Sequence, residues 1–204
     1  MDRGEPNRAV TLDVVIPVFN EEEALPVLLE RLRAAFAPER LREAGVLGVR
    51  HVLVDDGSSD RSAALVADAI AAGFPALLLR FSRNFGHQSA VSAGMSAANA
   101  DLVAILDADL QDPPELVLAM VAKWREGADV VYAQRRRRAE GPLKRASYWL
   151  FYRLVAFLAD VKIPLDSGDF CLLDRREVRA MDALPERLRF PRVLRAWVGF
   201  RQVG

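Results

Sequence analysis

Short apolar runs alternate with helix-spaced apolar positions along the first two thirds of the chain. Residues 13–17, DVVIP, read as a first strand. Leu25, Leu28, Leu29, Leu32 and Phe36 then recur at helical spacing, with Asn20 as the expected cap and Glu23 three residues on. A second strand is predicted over 51–54, running into Asp55-Asp56-Gly57-Ser58, and an alanine-rich helix over 59–72 stops at Gly73. Strands at 76–80, 102–106 and 130–133 alternate with helices at 86–98 and 114–126. The order βαβαβαβαβ predicts an α/β fold, a mainly parallel sheet with helices on both faces. In such sheets ligands bind beyond the C-terminal strand ends, near the switch in strand order. Asn20-Glu21, Asp55-Asp56 and Asp107-Asp109 all fall at such ends.

After Arg138 the pattern changes. Gly141-Pro142 is a break, and 143–160 reads as a helix containing WLFYRLVAFLA, apolar on nearly all sides and flanked by Arg135 to Arg138, Lys144 and Arg145. Two readings stay open: a buried helix, or a helix resting on a membrane surface with its basic residues at the headgroups. No internal repeat or linker divides the 204 residues, so one domain is expected over 1–204.

Composition adds three constraints. The lone cysteine, Cys171, excludes an internal disulfide, fits a reducing compartment and reads as a core residue. The opening MDRGEPNRAVTL has no signal-peptide core and no run of 18 apolar residues occurs, so a cytoplasm-facing start is expected. The zero net charge conceals a reversal: 12 Lys/Arg against 20 Asp/Glu over 1–134, then 16 against 8 over 135–204. That asymmetry suggests an acidic metal-nucleotide half and a basic half facing an anionic partner.

The segment LVAILDADLQDPPE, 102–115, carries the most specific chemistry. A strand-length apolar run delivers Asp107 and Asp109, whose like charges repel unless a cation or hydrogen bonds offset them. Hard carboxylate oxygens there suit Mg²⁺ or Mn²⁺ holding substrate phosphates. Asp112 is expected as the cap of the next helix, with Pro113 in its first turn and Glu115 near its start.

The set VVIPVFNEEE, VDDGSSD, SRNFGHQSA, DADLQDPPE, GPLKR and SGDFCLLDRREV resembles family 2 glycosyltransferases of GT-A fold. More narrowly it resembles the polyprenyl-phosphate glycosyltransferases, the group of dolichyl-phosphate mannose synthase and the bacterial undecaprenyl-phosphate sugar transferases. The resemblance runs from about residue 13 to 204 and implies a role for each matching position. Pro17, Phe19 and Glu21 would line the nucleotide pocket, and Val54 and Asp56 would hold the base and ribose. Asp107 would contact the sugar-nucleotide, while Asp109 and Gln111, with Asp107, would ligate the divalent metal. Arg135 and Arg145 would hold the acceptor phosphate, and Asp169 would be the acceptor-side acid.

The implied reaction moves a sugar from a UDP- or GDP-sugar donor to a polyprenyl-phosphate lipid acceptor, with inversion, at the cytoplasmic face of an anionic membrane. No nucleic-acid partner is expected, and a homo-oligomer is compatible with this reading. Members of this branch continue into membrane-spanning helices, so a C-terminal transmembrane region is expected to be missing after WVGFRQVG. Competing readings are a family 2 transferase with a saccharide acceptor and a catalytically silent nucleotide-binding module. A phosphatase or nucleotidyltransferase fits less well, because no nucleophilic Asp follows the first strand and no glycine-rich phosphate loop opens a helix there.

Overall fold

The computed structural model describes residues 8–134, 167–184 and 191–204. The expected acceptor-side positions Arg135 and Arg145 and the 143–160 segment lie outside them. Strand β1 (Val10–Val18) leads through α1 (Leu25–Ala35) and α2 (Pro38–Glu43) to β2 (Val46–Asp55). Then come α3 (Ser62–Ala71), β3 (Ala76–Arg80), α4 (His87–Ala97), β4 (Leu102–Ile105), α5 (Leu116–Arg125) and β5 (Val130–Gln134). Strand β6 (Ser167–Asp174), α6 (Arg175–Asp182), α7 (Pro191–Trp197) and β7 (Gln202–Val203) follow.

The sheet order is β3-β2-β1-β4-β6-β5-β7. Strands β3, β2, β1 and β4 run parallel, which makes the expected α/β architecture. β1 is buried at every position except Thr11, as a parallel strand covered by helices on both faces must be. One face packs under α1, α3 and α5 through Leu28, Leu32, Val66, Val117 and Trp124. The other packs under α4, α6 and α7 through Ala90, Val91, Met95, Val178 and Leu194.

Two features differ from the sequence expectation. β5 does not adjoin β4, because β6 inserts between them and pairs antiparallel with both. Its SGDFCLLD run is short and its partners are distant in the chain, so periodicity alone did not mark it. The expected caps also move. α1 starts at Leu25 without a side-chain cap, and Asn20 instead adopts φ +55° in the loop before it. α5 starts at Leu116, preceded by a turn in which the amide N–H of Leu116 donates to Pro113 O and that of Val117 to Pro114 O. Pro113 and Pro114 occupy that turn, and Asp112 faces back into its own loop rather than capping the helix.

At the opposite, N-terminal end of the sheet Asp13 is buried yet charged. Burial raises its carboxyl, but the Arg50 fork (2.9 and 2.8 Å) and the N–H groups of Asn99 (2.7 Å) and Ala100 (3.0 Å) outweigh that and hold it below the usual range. This bracket joins β1, β2 and the approach to β4. Gly94 lets α4 lie close on the sheet, since a Cβ there would stand 2.3 Å from Val15 Cγ1. The first turn of α4 is thereby carried to the C-terminal strand ends.

Candidate functional site

The C-terminal ends of β1, β2 and β4 open on a cavity of about 250 Å³. Pro17, Val18, Phe19 and Glu21 line it after β1, Asp56 after β2, and Asp107, Ala108 and Asp109 after β4. Asn84, His87 and Ala90 close it from the α4 side.

The loops around it are stitched to each other by short polar side chains. The Asn20 N–H donates to Ser58 Oγ (3.0 Å), the Ser59 N–H donates to Asn20 Oδ1 (2.9 Å), and the Glu21 N–H donates to Ser62 Oγ (2.8 Å). Asp55 closes the turn after β2 by accepting from Ser58 N–H (3.0 Å), and it pairs with Arg80 (3.3 Å). Gly57, at φ +73°, lies so close to the next loop that a Cβ would stand 2.4 Å from the Arg83 carbonyl carbon. Asp56 is buried, and its two oxygens accept from the backbone N–H groups of Phe85 (2.7 Å) and Gly86 (2.9 Å). A carboxylate oxygen has two lone pairs, so a role toward a nucleotide base stays compatible with this tether.

The structure brings Pro17, Phe19, Glu21, Asp56, Asp107 and Asp109 to one wall, and leaves Val54, Gln111 and Asp169 off it. Val54 is fully buried in the core beneath α4. Gln111 is exposed and is not on the cavity wall, and its backbone N–H donates to Asp109 Oδ1 (3.0 Å). Asp169 sits across the first turn of α4, lining a separate small cleft with Gln88, Val91, Cys171 and Arg195. The β4–β6 pairing ends with Ile105 opposite Cys171, so Asp107 and Asp169 each lie two residues from its last pair. Cys171 is a core residue, as expected, and burial pushes its thiol up to about 11.

Negative charge concentrates in the cavity. The carboxyl of Glu21 is raised by burial and then by the charges of Asp109, Asp60 and Asp107. On the α4 side, His87 Nε2 lies 3.8 Å from Asp107 Oδ1. Among the described residues no three His, Cys, Asp or Glu side chains form a ready metal cage. The donor set nevertheless fits a hard divalent cation of the kind held by one or two carboxylates and completed by phosphate oxygens and water.

The sequence reading sets aside a phosphate role for His87 and gives Asn84 and Arg31 no role, although Asn84 and His87 both lie in SRNFGHQ. Arg31 offered no signal, since its contacts are 79 and 84 residues away: Leu110 O at 3.5 Å and the Glu115 carboxylate at 3.3 and 2.9 Å. Arg31 holds the Glu115 carboxyl below its usual range. Glu115 stands immediately before α5, at the helix start as expected, and its carboxylate there serves the Arg31 ion pair.

Comparison with known proteins follows the same outline. A curated relative, the uncharacterized glycosyltransferase YkcC of Bacillus subtilis, is 41% identical over 199 residues, 97% of this chain and 60% of its own length. The bactoprenol glucosyl transferase of Shigella phage SfV is 38% identical over 190 residues, 92% of this chain and 60% of its own. The chain thus spans about 60% of the length of these relatives. The solved mannosyltransferase PcManGT of Pyrobaculum calidifontis, in complex with GDP-Man and Mn²⁺, shares the fold with a TM-score of 0.67 at 18% identity, over 98% of this chain and 55% of its own. The family model described as Glycosyl transferase family 2 matches residues 13–180, which include the cavity wall and Asp169 alike. With that match and those relatives, the chain belongs to glycosyl transferase family 2, and its fold is the GT-A type.

Proposed function

We propose that this chain is the catalytic domain of an inverting glycosyltransferase that moves a sugar from a nucleotide-diphosphate donor to a polyprenyl phosphate at a membrane. The observation that carries the reading is the juxtaposition across α4. A carboxylate-rich cavity holds Asp107 and Asp109 on one side, and on the neighbouring strand Asp169 lines a separate cleft, two residues from the last β4–β6 pair as Asp107 is. The relative named as a bactoprenol glucosyl transferase supports a lipid-linked acceptor, and the Mn²⁺ and GDP-Man of the mannosyltransferase structure support a metal-assisted nucleotide-sugar donor.

In this reading Pro17, Phe19, Glu21 and Asp56 enclose the nucleoside, while Asp109 and Asp107 hold Mg²⁺ or Mn²⁺, with Gln111 beside them. The bound cation would supply Lewis-acid stabilisation of the departing nucleoside diphosphate. Asp107 faces the sugar-nucleotide. Arg135 and Arg145 position the acceptor phosphate, a task suited to the guanidinium fork. The phosphate oxygen forms the new bond to the anomeric carbon as the bond to the diphosphate breaks, which inverts that centre. A phosphate monoester has its second pKa near about 6 and is largely ionised at neutral pH. Asp169 therefore orients the acceptor or the arginine pair and removes no obligatory proton.

The charge reversal after residue 134 supports attachment of the basic half to an anionic membrane surface, each nearby Lys or Arg adding about 1 kcal/mol. The test is a thermal-shift panel of UDP, GDP and their sugars with and without Mn²⁺. One nucleotide at 100 times its Kd should stabilise the domain by about 2.7 kcal/mol in the presence of the metal. No metal-dependent shift with any nucleotide would end this reading. Transfer without added lipid phosphate would point instead to a saccharide acceptor.

A further inference from the structure

Leu110 stands between Asp109 and Gln111 with φ +65°, a left-handed backbone that side-chain-bearing residues seldom adopt. Two anchors hold it there. Its side chain packs against the core under α1 and α5, and its carbonyl accepts from Arg31 Nη1 at 3.5 Å. The same guanidinium grips Glu115 through Nε (3.3 Å) and Nη2 (2.9 Å). Arg31 thus reaches from α1 to the middle and to the far end of the loop that leaves β4 and enters α5. Inside that loop the backbone N–H groups of Gln111 and Asp107 donate to Asp109 Oδ1 (3.0 Å) and Asp112 Oδ2 (3.4 Å).

We propose that Arg31, clasped by Glu115, is a positioning residue for the cation-binding loop: it pins the Leu110 carbonyl so that Asp109 is presented to the metal and the donor diphosphate. The inference rests on the metal-dependent donor reading above. Both partners of the ion pair are about a third exposed or more, at 32% and 40%, so the pair contributes little to global stability. What it supplies is geometry. A planar guanidinium can serve a carboxylate and a carbonyl at once, whereas one ammonium is a point charge that cannot reproduce that fork. Groups that orient metal ligands from behind matter to metal affinity by tenfold or more.

The experiment is a Mn²⁺ titration followed by electron paramagnetic resonance, with the protein saturated by UDP and, in a parallel series, by GDP. Arg31→Ala is expected to weaken Mn²⁺ binding on the order of tenfold with its melting temperature nearly unchanged. Arg31→Lys should recover only part of the affinity. The charge-reversed pair Arg31→Glu with Glu115→Arg should re-form the ion pair and leave Mn²⁺ binding weak, because a carboxylate at position 31 cannot donate to the Leu110 carbonyl. Wild-type affinity in Arg31→Ala, or full rescue by the reversed pair, would overturn the positioning role while leaving the donor reading intact. Absence of Mn²⁺ binding by the wild-type protein with either nucleotide would overturn the donor reading itself, and the clamp with it.

Discussion

Asp107 and Asp109 sit one residue apart on the cavity wall, just past the apolar run of β4. Glu21 shares the cavity, and burial first, then the charges of Asp109, Asp60 and Asp107, raise its carboxyl. Asp109→Asn is expected to lower turnover by on the order of 10²–10³ and to remove the Mn²⁺-dependent thermal shift. Asp169→Asn should cost less and leave the pH–rate profile almost unmoved. A discontinuous assay of sugar transfer to polyprenyl phosphate measures both, and loss of all turnover together with the acidic limb in Asp169→Asn would restore a general-base role. Val54 shows the limit of transferring roles by position: its side chain belongs to the core beneath α4.

At the scale of elements, the parallel half of the sheet could be read directly, since buried strands are continuous apolar runs and the helices between them carry periodic faces. Strand β6 could not, because what makes it a strand is pairing with β4 and β5 across distant chain. The helix starts shifted for a local reason. The Pro113-Pro114 pair forms its own turn before α5, and Asn20 is engaged by Ser58 and Ser59 instead of capping α1. Helix α4 carries its first turn to the cavity only because Gly94 allows contact with Val15 and Val54. Gly94→Val should destabilise the domain by about 1–3 kcal/mol through overpacking and weaken nucleotide binding as α4 lifts. Urea denaturation and the thermal-shift panel would show it, and unchanged values in both would refute this account of the contact.

Over the whole molecule, the acidic and basic halves predicted from composition remain the frame for function, although 135–166 lies outside the described residues. Among the described residues no helix is long and apolar enough to cross a membrane. Stability carries its own pH signature in Glu177, fully buried on α6, with neither oxygen hydrogen-bonded among the described residues. Burial pushes its carboxyl up to about 8; Arg195 opposes the shift, while Asp129 and Asp174 add to it. The folded value lies above the ordinary 4.5, so this group's stabilisation is intact below pH 4.5 and is lost as pH rises towards 8. Glu177→Gln should therefore melt higher than wild type at pH 7.5, the difference closing towards pH 4.5. Parallel melting curves across that range would exclude the effect.

The antiparallel seam between β4 and β6 sets one further dimension. Opposed residues on such strands keep Cα atoms about 4.5–5.5 Å apart, and the last such pair, Ile105 with Cys171, stands two residues before Asp107 and two after Asp169. Each carboxylate is only two residues of chain from that pair, at no more than about 3.6 Å per residue, so the distance between them is bounded by the sheet itself.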